Sequence, residues 1–385
     1  MKVILIARTI AYGGGAERLV FETYNALKDK IGSSNVKLIV FQHSSIFNIK
    51  GLGTYEKALE NDKNFHCLNV IVKLSILKKN KIDVSELERI INDFKPDIIH
   101  SHLYLAELIS RQVKYPYAKW FSHLHDNMEQ FESIKLNTFF NKKKITNFFE
   151  KRHLFNKYKN NTFIAISNDT YEFAKKRIKK HNLVFLPNAI NLNQFYRFQP
   201  IQVDKIRIIN IGSFVEKKNH KLIIDIAKEL KNRKIDFEII LLGDGHLMKE
   251  IKDITNKYNL NGQIIFKGIV KDVNKYLNDS NIYLHTAKYE PFGLSLLEAM
   301  AVGLPVICLD GKGNTDLIKK DYNGFIIRDE NVDEFCTKIT NLYNNSKKYN
   351  NISKNAITTS KNYSIENYVL NLLNIYEARI NNNET

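Results

Sequence analysis

Acidic side chains are scarce in this 385-residue chain. There are 41 Asp and Glu against 58 Lys and Arg, which leaves a net charge of +17. The shortage is uneven: residues 1–195 account for +13 of it and residues 196–385 for only +4. A basic surface suits nucleic acid or an anionic membrane. The motifs of nucleic-acid binders are missing as well, with no zinc knuckle, RNA-recognition motif or helix-turn-helix signature, so no nucleic-acid partner is expected. Part of the charge is compositional, because Lys, Asn and Ile are all abundant. Cysteine is rare too. Cys67, Cys308 and Cys336 are scattered without metal-type spacing, which excludes a disulfide scaffold and suits free thiols in a reducing cytosol. No window approaches the roughly 18 apolar residues that span a bilayer. The opening run Met1–Ala7 is too short for a signal segment and reads as a buried strand. A cytoplasmic place is therefore expected. Internal repeats and low-complexity tracts are absent.

What is present is a regular alternation. Apolar strands are expected at Val3–Ala7, Val36–Phe41, Asp97–His100, Lys119–Leu124 and Thr162–Ile166. Helical patterns cover Ala16–Lys28, Val84–Phe94, Leu105–Val113 and Asn141–Lys157. Beyond Pro187 the pattern restarts, with strands expected at Ile206–Ile211, Phe237–Leu242, Ile264–Lys267, Ile282–His285 and Pro305–Leu309. Strands alternating with helices predict parallel sheets covered by helices, and the length predicts two domains. The expected architecture is α/β, with two doubly wound halves and a ligand cleft outside the carboxyl ends of the strands. Residues 187–203 read as the linker. Ser364–Ile380 reads as a closing amphipathic helix with Ser364 at its N-cap, and residues 381–385 as a frayed end. The expected boundaries are 1–190, 191–363 and 364–385.

The most specific segment is Glu290-Pro-Phe-Gly-Leu-Ser-Leu-Leu-Glu298 with its continuation to Gly303-Leu-Pro305. Residues 294–302 are good helix formers, Gly303 is placed to cap the end and Pro305 forbids continuation. Glu290 then precedes the helix and Glu298 lies about two turns inside it, at roughly 3.6 residues per turn. A helix N-terminus offers unpaired amides and partial positive charge, which suits a phosphate. Phe292, Gly293 and Leu294 would supply those amides. The spacing points to a diphosphate at the turn and two carboxylates for ligand hydroxyls. An ordinary loop–helix junction with two solvated glutamates shares the bare spacing, but not the Pro-Phe-Gly insert and the Gly-Leu-Pro stop.

The segment resembles the E-x7-E signature of retaining, nucleotide-sugar-dependent glycosyltransferases of the GT-B fold, and more narrowly their family 4. The resemblance spans nearly the whole chain. It implies two Rossmann-like domains, an acceptor-side first domain, a donor-binding second domain and a C-terminal helix that packs back on the first. Ile211-Gly212-Ser213 leads to Lys217-Lys218-Asn219-His220, and the resemblance places Lys218 on the donor diphosphate. Ser213 stands where the family often has arginine. Gly243 in Leu242-Gly-Asp-Gly245 matches the glycine turn beside the donor, and Ile269 follows the glycine whose neighbouring backbone meets the nucleobase. Gly311-Lys-Gly313-Asn314 occupies the place of the glycine-rich loop before a short helix, and Asn323-Gly-Phe325 matches the start of the strand after it. In the first domain, Tyr12-Gly13-Gly14-Gly15-Ala16-Glu17-Arg18 resembles the family's Gly-Gly-Ala-Glu-Arg segment. Gly14 and Gly15 allow close approach to a phosphate, and the segment is not the GxGxxG of dinucleotide cofactors.

The family carries a histidine that contacts the transferred sugar. His125 is the match, with His123 the competitor one strand period away. His100 and His102 end another strand, where the family also often shows histidine. Four histidines raise the question of a metal. The expectation is none, because the pairs lie on different strands, no cysteine or acid is spaced with them, and the family needs no catalytic metal. No Asp-x-Asp triplet is present, against the metal-dependent single-domain transferases. Residues 133–160 are basic with interleaved Phe, Leu and Ile. They fit a solvated helix face, or docking on an anionic membrane near a lipid-linked acceptor.

The implied function is retaining transfer of a sugar from a nucleotide diphosphate sugar, a UDP-sugar favoured, to a hydroxyl of a glycan or lipid-linked acceptor in bacterial surface polysaccharide synthesis. No cofactor is implied. Glu290 would contact a donor-sugar hydroxyl, Glu298 the ribose, and Lys218 with the turn amides the departing diphosphate. The rivals are a GT-B epimerase, a phosphorylase (for which nothing marks a pyridoxal lysine) and a non-catalytic GT-B subunit that binds a partner or membrane.

Overall fold

The computed structural model describes residues 1–10, 14–42, 55–70, 72–73, 81–128, 145, 161–178, 182–197 and 205–381. The chain divides into two compact units. One is Met1–Pro187 with Tyr368–Thr385; the other is Asn188–Asn367. The expected helix 141–157 and the basic stretch 133–160 lie, but for residue 145, outside the described residues, as do Tyr12 and Gly13.

In the first unit the strands are β1 Val3–Ala7, β2 Val36–Gln42, β3 Phe65–Asn69, β4 Val72–Lys73, β5 Lys81–Ile82, β6 Ile98–His102, β7 Lys119–Leu124, β8 Asn161–Ala165 and β9 Leu183–Phe185. Seven of them form one sheet in the order β3-β2-β1-β6-β7-β8-β9, every pair parallel. β4 and β5 form a separate antiparallel pair. All five residues of β1, Val-Ile-Leu-Ile-Ala, are buried, as a parallel strand covered on both faces requires. The helix Gly15–Ile31 buries Leu19, Val20, Thr23, Tyr24 and Leu27, a stripe at three- and four-residue spacing. Ile4, Ile6, Ile39 and Ile99 pack with Leu87 and Ile91 of the helix Ser85–Phe94.

The closing helix runs Ile365–Asn381 and belongs to this unit from Tyr368 onward. Its Tyr368, Val369, Leu372 and Tyr376 are buried at four-residue steps. Tyr376 meets the Phe121 ring edge-on at 4.8 Å. An aromatic in that geometry contributes its buried area and a further 0.5–1.5 kcal/mol or so.

In the second unit the strands are β10 Ile206–Ile211, β11 Phe237–Leu242, β12 Ile264–Gly268, β13 Ile282–His285, β14 Val306–Leu309 and β15 Gly324–Ile327. Their order is β12-β11-β10-β13-β14-β15, again all parallel. The strand order reverses between β10 and β13, the place where doubly wound sheets open a crevice for ligands. The helix His220–Asn232 covers one face with Leu222, Ile223, Ile226, Ala227 and Leu230, all buried.

Candidate active site

At the switch point of the second unit, β10 ends at Ile211, just before Gly212, and β13 ends at His285. A single turn of 3-10 helix, Glu216–Lys218, follows β10 and delivers Lys218. Two bonds tie this turn to the end of β13: Thr286 Oγ1 donates to the Lys218 carbonyl at 3.0 Å, and the Lys288 amide to the Lys217 carbonyl at 2.9 Å. Lys218 therefore reaches Glu290. Its Nζ lies 2.5 Å from Glu290 Oε2, with the carboxylate side chain only 10% exposed. His285 Nε2 approaches the same oxygen at 3.2 Å, off the line of an ideal N–H···O bond. Burial alone would raise the Glu290 carboxyl. The Lys218 ammonium and His285 overcome that and hold it well below the ordinary carboxylate range. Burial acts in the same sense on two imidazoles and keeps both neutral. It lowers His285 against the pull of Glu290, and it lowers His220, with help from Lys218, to about 4.

The segment after Glu290 turns as its residues demand. Gly293 stands at the helix N-cap with φ of 100°, a conformation that favours glycine, and the helix runs Leu294–Ala301. The Gly293 carbonyl accepts from Leu296 and Leu297, which leaves the Leu294 amide outside the helical ladder. Glu298 is in the second turn and 3% exposed. Gly303, with φ of 78°, follows the helix end. The Gly311–Gly313 loop lies on the Glu290 backbone, whose amide donates to the Gly311 carbonyl at 2.8 Å. Below, Tyr283 donates to Ser295 Oγ at 2.8 Å and stacks on His285, joining β13 to the first turn of the helix.

The remaining second-unit residues gather around this centre. Gly212 and Gly243 follow the ends of neighbouring strands so closely that a Cβ on Gly243 would stand 2.1 Å from the Gly212 carbonyl oxygen. Ser213 is exposed beside them. Ile269, just past β12, is 37% exposed. Phe292 turns its ring inward, 2% exposed, against Tyr363. The second unit thus brings together Gly212, Ser213, Lys218, Gly243, Glu290, Phe292, Gly293, Leu294 and Glu298 around the carboxyl ends of β10, β11 and β13.

Gly14, Gly15 and His125 belong to the first unit. Gly14 and Gly15 begin the helix after β1, and His125 follows β7 directly. Residues 193–359 match the sequence profile of the glycosyl transferases group 1 family, a span that contains the whole Lys218–Glu290–Glu298 arrangement. That span, under half of the chain, is what resembles the family. Among relatives, the poly(ribitol-phosphate) alpha-N-acetylglucosaminyltransferase of Staphylococcus aureus is 26% identical over 209 residues, 53% of this chain and 42% of that protein. The UDP-Gal:alpha-D-GlcNAc-diphosphoundecaprenol alpha-1,3-galactosyltransferase of Escherichia coli is 23% identical over 302 residues, 74% of this chain and 75% of that one. Several other curated relatives are matched over only 38% to 55% of their own length. The crystal structure of Anabaena HepE in complex with UDP aligns with a TM-score of 0.77 at 17% identity, covering 98% of this chain and 100% of that one. That likeness establishes the GT-B fold for this chain.

One expectation about the first unit is corrected. The two histidine pairs do lie on different strands, but β6 and β7 are neighbours, with His100 opposite Phe121 and His102 opposite His123. The four rings form one stack. His102 lies 4.3 Å from His100, 4.9 Å from His123 and 5.3 Å from His125, centroid to centroid. Nitrogens of His100, His102 and His123 come within 4.8 Å of one another, the spacing of a metal-ligand group. Burial first, and neighbouring imidazoles second, push His100, His102 and His125 well below the ordinary histidine range. They are neutral.

Sequence reading missed His285. Its signal was a histidine closing a buried strand five residues before Glu290.

Proposed function

We propose that this chain is a retaining glycosyltransferase of the group 1 type. It takes a nucleotide diphosphate sugar, a UDP-sugar favoured, and transfers the sugar to a hydroxyl of a glycan or lipid-linked acceptor in surface polysaccharide synthesis. The observation that carries this reading is the buried Lys218–Glu290 ion pair at the foot of the Leu294–Ala301 helix. A cation and a helix N-terminus at one point suit the charge that develops on a departing diphosphate, and preorganised electrostatics of this kind is usually the largest catalytic term. When the diphosphate draws Lys218 away, Glu290 is freed to accept from a donor-sugar hydroxyl, with His285 still beside it. Glu298, two turns along, takes the ribose hydroxyls. The acceptor attacks on the face the leaving group vacates, and the diphosphate takes its proton. The stabilising charge comes from Lys218 and the helix amides, so this reading needs no metal and no cofactor. Within the first unit, His125 and the Gly14–Gly15 turn are our candidates for contacting a sugar and a phosphate.

The Escherichia coli relative supports a sugar-nucleotide donor, since it takes UDP-Gal with a diphosphoundecaprenol-linked acceptor. Residues 133–160 remain our candidate for docking on an anionic membrane. No helix among the described residues is long and apolar enough to cross one.

The test is a thermal-shift screen with UDP, GDP, ADP, CDP and their common sugars, run beside Glu298→Ala. A ligand at 100 times its Kd stabilises by about 2.7 kcal/mol. Selective stabilisation by one nucleotide, lost in Glu298→Ala, is expected. A chain indifferent to every nucleotide overturns the reading.

A further inference from the structure

The histidine stack is asymmetric in its hydrogen bonds. His100 uses both ring nitrogens, with Nδ1 2.6 Å from Tyr376 Oη and Nε2 3.3 Å from His123 Nδ1. His102 uses one. Its Nδ1 lies 3.1 Å from His125 Nε2, while its own Nε2 is buried without a partner. His100, His102 and His125 are neutral, so each carries one proton, on one nitrogen.

Two arrangements of the His102–His125 pair are then open. In the first, His125 Nε2–H donates to His102 Nδ1, and the His102 proton sits on the buried, unpartnered Nε2. That orphans an N–H group in the interior, which is rare and costs the full desolvation of a donor. In the second, His102 Nδ1–H donates to His125 Nε2, and only a lone pair is left unpartnered at His102 Nε2. The second arrangement is the cheaper. It obliges His125 to carry its proton on Nδ1.

We infer that His102 is a positioning residue that holds His125 as the Nδ1–H tautomer, so that His125 offers its ligand a hydrogen-bond donor. This deepens, and rests on, the reading of His125 as a sugar contact. The group it meets is then an oxygen with a free lone pair, such as a ring hydroxyl, an amide carbonyl or a carboxylate of the sugar. A protonated Nδ1 accepts nothing, and Nε2 is taken. His125 therefore recognises the sugar and does not remove the acceptor's proton.

The experiment is long-range proton–nitrogen NMR of the full chain with nitrogen-15 histidine at neutral pH, the His125 signals assigned by their loss in His125→Asn. His125 Nδ1 should resonate as a protonated nitrogen and Nε2 as a bare one. In His102→Leu that tautomer should be lost. In His102→Asn it should be kept, because the Asn amide nitrogen stands where His102 Nδ1 stood and donates in its place. A protonated Nε2 on His125 in the wild-type chain overturns the inference without any variant. An unchanged His125 in His102→Leu overturns the role of His102. The spectrum is recorded without ligand, so it decides this point separately from the nucleotide screen that decides the function.

Discussion

The two units are built on the same plan, yet they treat buried titratable groups at their strand ends in opposite ways. In the first unit the carboxyl ends of β6 and β7 carry imidazoles stacked on one another, and burial holds His100, His102 and His125 uncharged. In the second, the end of β13 faces a carboxylate that is just as secluded but keeps its charge, because Lys218 stands 2.5 Å away. On the function proposed above, the difference separates two tasks. A site that must release a doubly charged leaving group needs a cation ready in place, and a partner to keep that cation paired while the site is empty. A site that must hold a neutral sugar needs directed donors and acceptors, which neutral rings supply without repelling or attracting ions.

The comparison breaks most visibly on acidification. A neutral histidine with a lowered pKa takes up its proton in the unfolded chain first. Its contribution to stability is complete above about pH 6.5 and falls as the pH drops toward the lowered value. Each such group costs about 1.4 kcal/mol per pH unit in that window. The first unit holds three in one stack, whereas the second holds His220 and His285 apart from them. Trp120 on β7 is the sole tryptophan, and its fluorescence reports the first unit. Denaturant unfolding followed by Trp120 should lose several kcal/mol between pH 6.5 and 5, and His100→Phe should flatten that slope. A pH-independent Trp120 transition would remove the neutral-stack half of the comparison.

Next in size is Glu290→Gln. It keeps the shape and removes the charge, so turnover of a nucleotide sugar should fall by about 10²–10³-fold while nucleotide binding in the thermal-shift screen persists. Undiminished turnover would deny Glu290 a part in the reaction. Lys218→Met should then cost about 3 kcal/mol of stability at pH 7, since it strands a buried carboxylate. Adding Glu290→Gln to it should restore much of the loss, as a denaturation midpoint will show. In the wild-type chain the Glu290 contribution is present above its ordinary pKa of 4.5 and disappears as the pH falls toward its lowered value. The smallest effect is that of Tyr376→Phe, which leaves His100 Nδ1 unpaired and should cost about 1 kcal/mol, again read at Trp120.

Much of this was legible in the sequence where the chain is most apolar. β1, β7, β10, β11 and β13 begin and end at the residues expected of them. The strands that escaped notice lie at sheet edges. Phe65–Asn69 buries only Leu68 fully, and Leu183–Phe185 is three residues long, so neither shows the run of a doubly covered strand. The turns of the second unit were legible because their chemistry is local: Gly293 before a helix, Gly303 after it, a lysine after Gly212. The histidine stack was not, because it depends on which strands are neighbours and in what register. His102 faces His123 only through the pairing of β6 with β7, and no local pattern encodes that. The pairing of Lys218 with Glu290, 72 residues apart, escaped for the same reason, even though each residue had been singled out.

The division of the chain also bears on how it is made. The second unit is one continuous stretch, so it has all its parts once residues 188–367 have left the ribosome. The first unit does not. Phe121 and His100 are covered by Tyr376, which is translated only after the whole of the second unit. Until then the nascent first unit displays part of its interior to chaperones and to other chains. A premature stop anywhere between residues 188 and 367 would leave it in that state permanently.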